Sequence, residues 1–326
     1  MSVTSKPLVL VIVLLAAFAA LGLFGRHLAG AGGAQSPLEA DGARLLKGAI
    51  DMHFHMDPPG VDTKEGQGQA DISKVRTARA HGVRALVIKD HNEPTGGLVY
   101  LLRQEIPDFL MYGAFVLNLS NGGLNVEGVK FMLGIKGAPG KVVWMPAGDT
   151  ETEVKHSKNP DAPFVSVQKG GQLLPEVKTI LGLIAKNDLV LASGHILAPD
   201  ALMLFSEAQK MGVKHMVATH AFDLTGKMTT VQMQAAAKLG VIIEFDYRNV
   251  FDEGGARLDV IRQVGPEHCL ISEFWTNKPG ATREYAGFAG AGEWVAAMHK
   301  RGFTDHELDV MVKDNPAKLL GLPVQR

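Results

Sequence analysis

Asp51-Met52-His53-Phe54-His55 closes a short apolar run that begins at Gly48-Ala49-Ile50, and how this stretch is read decides the fold. Side chains alternate between the two faces of a strand, so His53 and His55 point the same way. Two imidazoles on one face at the end of a strand can grip a divalent cation. A bare His-x-His pair is often no more than two solvated rings in a loop, so its meaning rests on the rest of the chain.

Outward from this stretch, apolar strand-like runs alternate with amphipathic ones. Eight candidate strands cover 48–54, 83–89, 110–117, 141–146, 188–194, 213–219, 241–247 and 268–274. Helical patterns lie between them, for example over 72–81, 173–186, 201–211, 231–239 and 258–264. Gly82, Gly212, Gly240 and Gly265 stand where helix C-caps are expected. Such alternation predicts parallel strands with helical crossovers. Eight units in this length fit an α/β fold of the (β/α)8 TIM type, which needs about 250 residues. A doubly wound open sheet is the rival, but it wants a glycine-rich phosphate turn after its first strand. Asp51 to Asp57 offers His and Asp instead.

The chain has 326 residues, 46% hydrophobic and 21% charged, with a formal net charge of −1. That is enough for one large core, and without a basic patch it sets nucleic acid aside as a partner. Lys6 precedes an apolar run from Pro7 to Gly25, and small residues follow around Ala29 to Ala34. This is the pattern of an export signal, and its length approaches the roughly 17–25 residues that span a bilayer. Residues 1–34 are therefore expected to be a signal peptide or membrane anchor. Attachment would run through residues 7–25, and the barrel of 45–326 would be periplasmic, secreted or anchored at the membrane. Cys269 is the single cysteine, so no internal disulfide forms, and its apolar surroundings mark it as a small core residue. The polar, proline-containing connection from Ala147 to Gly170 is long enough for a lid or binding loop.

A parallel barrel carries its site at the C-terminal ends of its strands. That rule sorts the 12 histidines. His53, His55, His91, His195 and His220 fall at predicted strand ends. His215 and His268 fall at strand starts, on the opposite face, and the others lie on helices, in the long loop or beside the export segment. Lys89 closes the run Leu86-Val87-Ile88, and Glu273 closes Leu270-Ile271-Ser272. A buried lysine must meet a carboxylate or change state, and a buried carboxylate beside imidazoles is stabilised by a cation. Imidazole with carboxylate suits zinc and related ions better than magnesium or calcium.

At this point the sequence resembles the amidohydrolase superfamily of metal-dependent hydrolases. The likeness rests on His53-Phe54-His55, Gly194-His195, Thr219-His220, Glu273 and the ending Asn315-Pro316-Ala317-Lys318-Leu319-Leu320-Gly321. More narrowly, Lys89-Asp90-His91-Asn92-Glu93-Pro94-Thr95, Asn121-Gly122-Gly123-Leu124-Asn125 and Val143-Trp144-Met145-Pro146 look like an uncharacterised branch of it. The resemblance implies that His53, His55 and Glu273 hold one ion and His195 and His220 a second. Lys89, if carboxylated, would bridge the two. It also implies that Glu273 takes and passes the proton of a metal-activated water. His91 is a further ligand or an electrophile for the substrate carbonyl. Two departures stand out: Glu273 replaces the usual Asp, and the strand ending at Trp144 carries no bridging lysine. Asn118, Trp144, Arg248 and Trp275, near strand ends, are candidates for contact with a small-molecule substrate. Hydrolysis of an amide or cyclic amide C–N bond is the leading expectation. Lactone or phosphoester hydrolysis, decarboxylation, and a catalytically inactive membrane-anchored binding protein are the alternatives.

Overall fold

Alternation of apolar runs and amphipathic segments yields the expected barrel. The computed structural model describes residues 37–58, 71–137, 140–222, 226–246, 256–274 and 291–325. The proposed export segment lies outside these residues, as do Arg248 and Trp275. Among the described residues no helix is long and apolar enough to cross a membrane.

After a helix α1 (Pro37–Leu46), the barrel strands are β1 (Ile50–His55), β2 (Ala85–Lys89), β3 (Leu110–Val116) and β4 (Gly140–Trp144). A two-stranded hairpin, β5 (Gln168–Lys169) and β6 (Gln172–Leu173), interrupts the series. Then come β7 (Val190–Ala192), β8 (His215–Ala218), β9 (Val241–Asp246) and β10 (Cys269–Ser272). The eight barrel strands run parallel in chain order, β1-β2-β3-β4-β7-β8-β9-β10. All eight predicted strands are present, six of them trimmed, β1 reaching one residue further and β4 starting one residue earlier than expected. Helices fill the crossovers: α2 (Ile72–Ala80), α3 (Gly96–Glu105), α4 (Val126–Gly134), α5 (Glu151–Lys155), α6 (Pro175–Lys186), α7 (Ala198–Lys210), α8 (Thr230–Lys238) and α9 (Ala256–Val264). Local chemistry sets their ends. Asp71 accepts the N–H of Ser73 to start α2, and Thr229 with Gln232 forms a capping box on α8.

Two apolar layers result. One lies between sheet and helices and includes Phe54, Leu86, Ile88, Phe115 and Ile243. The other fills the barrel interior with Ile50, Met52, Val87, Val116, Trp144, Val190, Val217 and Leu270. At the strand-start end the interior is closed by a last helix, α10 (Asn315–Leu320), through Ala317, Leu319 and Leu320. The Asn315 side chain donates to the carbonyls of Glu267 and Cys269 there, so the Asn-Pro-Ala ending is a plug for the closed end of the barrel.

One irregularity re-aims the opening motif. Strict alternation from the inward Ile50 and Met52 would turn Phe54 inward and the two histidines outward. The β1–β2 register shifts between Asp51 and Phe54, where three steps on β1 match two on β2. This bulge puts Phe54 in the outer layer and turns His53 and His55 into the barrel mouth. Asp51 Oδ1 accepts the N–H of His53 across the bulge at 3.0 Å.

Candidate metal centre

Five histidines stand in a row at the C-terminal mouth of the barrel. Ring centroids are 5.4 Å apart for His195–His220, then 4.9 Å for His220–His53, His53–His55 and His55–His91. They are the same five that the strand-end rule separated from the other seven.

Four of the rings are held through Nδ1 by a carboxylate, and the fifth has one close to its Nδ1. Glu244 Oε1 takes His53 at 3.0 Å, and Asp57 takes His55 on Oδ2 and His91 on Oδ1, both at 2.9 Å. Glu153 Oε1 takes His195 at 2.7 Å, while Asp246 stands 3.4 Å from His220 Nδ1. A carboxylate on one ring nitrogen fixes the ring's orientation and leaves the other nitrogen for a ligand. Three of the remaining nitrogens converge on one atom. Glu273 Oε1 lies 3.5 Å from His53 Nε2 and 3.3 Å from both His55 Nε2 and His220 Nε2. His195 Nε2 is buried with no hydrogen-bond partner. The ammonium of Lys89, fully buried at the end of β2, is 2.7 Å from His53 Nε2 and 5.5 Å from the Trp144 ring centroid.

The backbone is bent to make this arrangement. His220 and Glu273 follow β8 and β10 in the left-handed region, with φ of 45° and 55°. That is uncommon for residues with a side chain and costs on the order of 1–3 kcal/mol each. Asp51 secures the second of these, since its carboxylate accepts the N–H of Glu273 at 3.0 Å and of Phe274 at 2.9 Å. It thereby ties the two ends of the sheet, β1 and β10, at the level of the site. Gly194 is required for the turn that delivers His195: its φ is 59°, and a Cβ there would lie 2.2 Å from the Met145 carbonyl oxygen.

Electrostatics place positive charge at the centre. Asp51, Asp57, Glu244, Asp246 and Glu273 are all buried around Lys89. Burial pushes Glu244 up to about 7 and Asp51 up to about 6. Burial opposes charge on His220 and His55 too, but Glu273 with Asp246 outweighs it for the first, and Asp57 with Glu273 for the second. Both rings are held toward protonation. Burial and the Lys89 ammonium have the opposite result for His53, pushed well down, and for His91, lowered to about 4. Burial would raise Asp57, but its hydrogen bonds from His55 and His91 hold it well below the usual carboxylate range. Of the three rings that meet Glu273, His55 and His220 are thus held toward protonation and His53 away from it.

The donor set fits a divalent cation. His53, His220 and Glu273 bring one ligand atom each within 4.8 Å of one another, as do His55, Asp57 and His91. Two donors at about 2.0–2.1 Å from a tetrahedral zinc ion are about 3.3–3.4 Å apart, which matches the spacings around Glu273 Oε1.

Asn118 and Trp144, expected near the substrate, stand beside this cluster. The Asn118 amide is spent on backbone: it donates to the carbonyls of His91 and Ala147, at 2.9 and 2.5 Å, and accepts the Ala147 N–H at 2.7 Å. It is a strut between the ends of β2, β3 and β4. Trp144 is buried in the interior layer, its ring 5.5 Å from that of His53, and forms the floor beneath the site. His91 meets Asp57 Oδ1 through Nδ1 at 2.9 Å. The long connection after β4 supplies α5, whose Glu153 reaches back to His195. The clamping acids escaped the sequence reading, although Asp57 extends the His-x-His spacing by one step and Glu244 and Asp246 alternate inside an apolar strand.

No curated protein matches the chain. Among solved structures it is similar to a lactonase template engineered for organophosphate hydrolysis, at 16% identity and a TM-score of 0.53, over 86% of this chain and 97% of that one. It is similar to the organophosphorus hydrolase of Deinococcus radiodurans at 15% identity and a TM-score of 0.54, over 86% and 94%. An Agrobacterium tumefaciens protein in its apo form gives 13% identity and a TM-score of 0.53, over 86% and 97%. At these identities the likeness is one of fold, an eight-stranded parallel barrel. The model of the family of unknown function DUF6282 matches residues 48–244. The chain belongs to DUF6282, a family of unknown function.

Proposed function

We propose that this protein is a metal-dependent hydrolase acting on a small molecule, with an amide or cyclic amide C–N bond as the leading target. The observation that carries the reading is the convergence of three carboxylate-anchored imidazole nitrogens on Glu273 Oε1 at 3.3–3.5 Å. His53, His55, His195, His220 and Glu273 would hold one or two divalent ions, zinc by donor type, with Lys89, if carboxylated, as a shared ligand. The cation supplies Lewis acidity, lowering the pKa of a water toward about 7 and polarising the electrophile.

The chain's own residues do the rest. Glu244, Asp57, Glu153 and Asp246 orient the rings, so little reorganisation is left for binding. Glu273 Oε1 is the carboxylate oxygen at which three Nε2 atoms meet, and it would accept the proton of an attacking water and return it to the leaving group. Its extra methylene relative to Asp is taken up by the left-handed backbone that Asp51 secures. Trp144 seals the floor and keeps bulk water from the interior.

A second reading, hydrolysis of a lactone or phosphoester, is favoured by the likeness to a lactonase template and an organophosphorus hydrolase. Metal analysis followed by a screen of lactams, lactones and phosphotriesters tests both. A protein that purifies without stoichiometric metal and turns over none of them would leave the inactive, membrane-anchored binding protein. The N-terminal apolar run supports an exported or membrane-anchored barrel, and cell fractionation with N-terminal sequencing of the mature chain tests that.

A further inference from the structure

The row of rings ends at His91 after β2 and at His195 after β7, and hydrogen bonds outside the row join the two ends. At the first end Asp57 Oδ2 meets His55 Nδ1, and Asp57 Oδ1 accepts the backbone N–H of His91, both at 2.9 Å. The His91 carbonyl accepts from the Asn118 amide at 2.9 Å. That amide also donates to the Ala147 carbonyl at 2.5 Å and accepts the Ala147 N–H at 2.7 Å. Gly148, the next residue, donates its N–H to Glu153 Oε2 at 2.6 Å, and Glu153 Oε1 meets His195 Nδ1 at 2.7 Å. Asn118 stands in the middle of this belt.

The middle is where the belt depends on a side chain. Asn118 and Ala147 are both buried. Pro146 has no N–H to give, and both backbone groups of Ala147 go to the one carboxamide, which presents a donor and an acceptor side by side. Gly148 turns at a φ of 109°, where its own lack of a side chain leaves the chain unrestrained. The placement of Ala147 reaches His195 by two routes. Pro146, one residue before, accepts the His195 backbone N–H at 2.8 Å. Gly148, one residue after, holds the acid that orients the His195 ring.

We infer that Asn118 is a positioning residue for the metal centre: through Ala147 and Gly148 it sets where Glu153 holds the His195 ring, and through the His91 backbone it ties that end of the row to Asp57 at the other. The inference rests on the metal-dependent reading and adds to it what spaces the ligands. Donors drawn from several strands must be held to about 0.5 Å for one cation to meet them, and the belt spans β2, β3, β4 and β7, the side of the mouth opposite β9 and β10.

The test is a double-mutant cycle on the full chain. Zinc affinity is read by competition with a chelating dye in the wild type, Asn118→Ala, Glu153→Ala and the double variant. An acid that orients a metal-binding histidine is worth about 10- to 100-fold in affinity, so Glu153→Ala should weaken the ion that depends on His195 by that range. Asn118→Ala should weaken the same ion about tenfold. Because it acts through Glu153, it should cost no more than about twofold further in the double variant. Asn121→Ala controls for lost packing, since the Asn121 amide is also buried and donates to the Val116 carbonyl at 2.8 Å. It should lower the melting temperature of the chelator-treated protein, yet leave zinc affinity within about twofold of wild type. Should Asn118→Ala not fold, Asn118→Ser, where the hydroxyl and a water answer the buried backbone groups, enters the same cycle. Wild-type affinity in the Asn118 variant, an equal loss in Asn121→Ala, or costs that multiply in the double variant would overturn the inference. So would a Glu153→Ala protein with unchanged zinc affinity, which leaves the metal reading to the other rings. A wild type that binds no zinc is a different result, since it removes the metal reading itself and this inference with it.

Discussion

Asp57 should separate stability from metal affinity in a way an ordinary structural acid cannot. Its Oδ1 accepts two donors from His91, and its Oδ2 accepts one from His55. In Asp57→Asn the amide oxygen must face His91, because a backbone N–H cannot be turned into an acceptor. The amide nitrogen is then left against His55 Nδ1. That ring must accept there and carry its proton on Nε2, 3.3 Å from Glu273 Oε1. The metal-free fold loses little, but the nitrogen that would bind a cation has no lone pair. Moving the proton back breaks the new contacts at about 1.4–2.8 kcal/mol, a roughly 10- to 100-fold loss of affinity. In Asp57→Ala both rings lose their anchor and the metal-free melting temperature falls further. His55 is then free to choose its tautomer, so cation affinity falls less, about tenfold. Thermal unfolding after chelation and a zinc titration against a competing chelator measure the two quantities. The account predicts opposite orders, Asn above Ala in stability and Ala above Asn in affinity. The same order in both, or wild-type affinity in Asp57→Asn, would refute the tautomer argument.

Other outcomes follow from the same geometry. Saturating zinc at about a hundredfold over its Kd should stabilise the barrel by about 2.7 kcal/mol, seen as a rise of several degrees in melting temperature that chelator reverses. Lys89→Ala should reduce metal content from about two ions to about one if a carboxylated Lys89 bridges them, and leave it unchanged if the ammonium only neutralises the acids; mass analysis of the ions decides. Burial alone would raise Glu153, but the His195 ring and donors from Gly148 and Thr150 bring it down from 4.5 to about 2. A group depressed in the folded state adds stability above its unfolded value and loses it as pH falls. Glu153→Gln should therefore flatten the decline in stability between pH 4.5 and 2, and urea unfolding across that window measures it.

The barrel was legible because each strand is an apolar run bounded by turn residues, and Gly82, Gly212 and Gly240 adopt the positive φ that a helix end uses, while Gly265 follows its helix in a more extended turn. The histidines could be sorted because the ends of parallel strands share one rim. The reason the opening motif faces inward was not legible: it needs the bulge in β1, a property of pairing with β2 and of the Asp51 contact. The clamping acids were hidden for different reasons. Glu153 lies 42 residues before His195, so no spacing joins them. Glu244 and Asp246 carry a period-two pattern in Val241 to Asp246 that marks them as inward, yet an acid in an apolar strand says nothing about its partner. Asn118 and Trp144 show the limit of the strand-end rule, which locates a residue's height in the barrel. Whether it meets substrate or braces the frame depends on where its polar atoms are spent.

The central claim is that the row of anchored imidazoles with Glu273 holds a divalent cation. Its most direct test is metal content by mass spectrometry of the purified wild type beside His53→Ala, His220→Ala and His215→Ala. His215 sits at the start of β8, 3.4 Å from Asp188 at the opposite end of the barrel. The account predicts at least one equivalent of a zinc-class ion in the wild type and in His215→Ala, with occupancy well below one in the other two. A wild type without stoichiometric metal, or equal loss from all three variants, would contradict it.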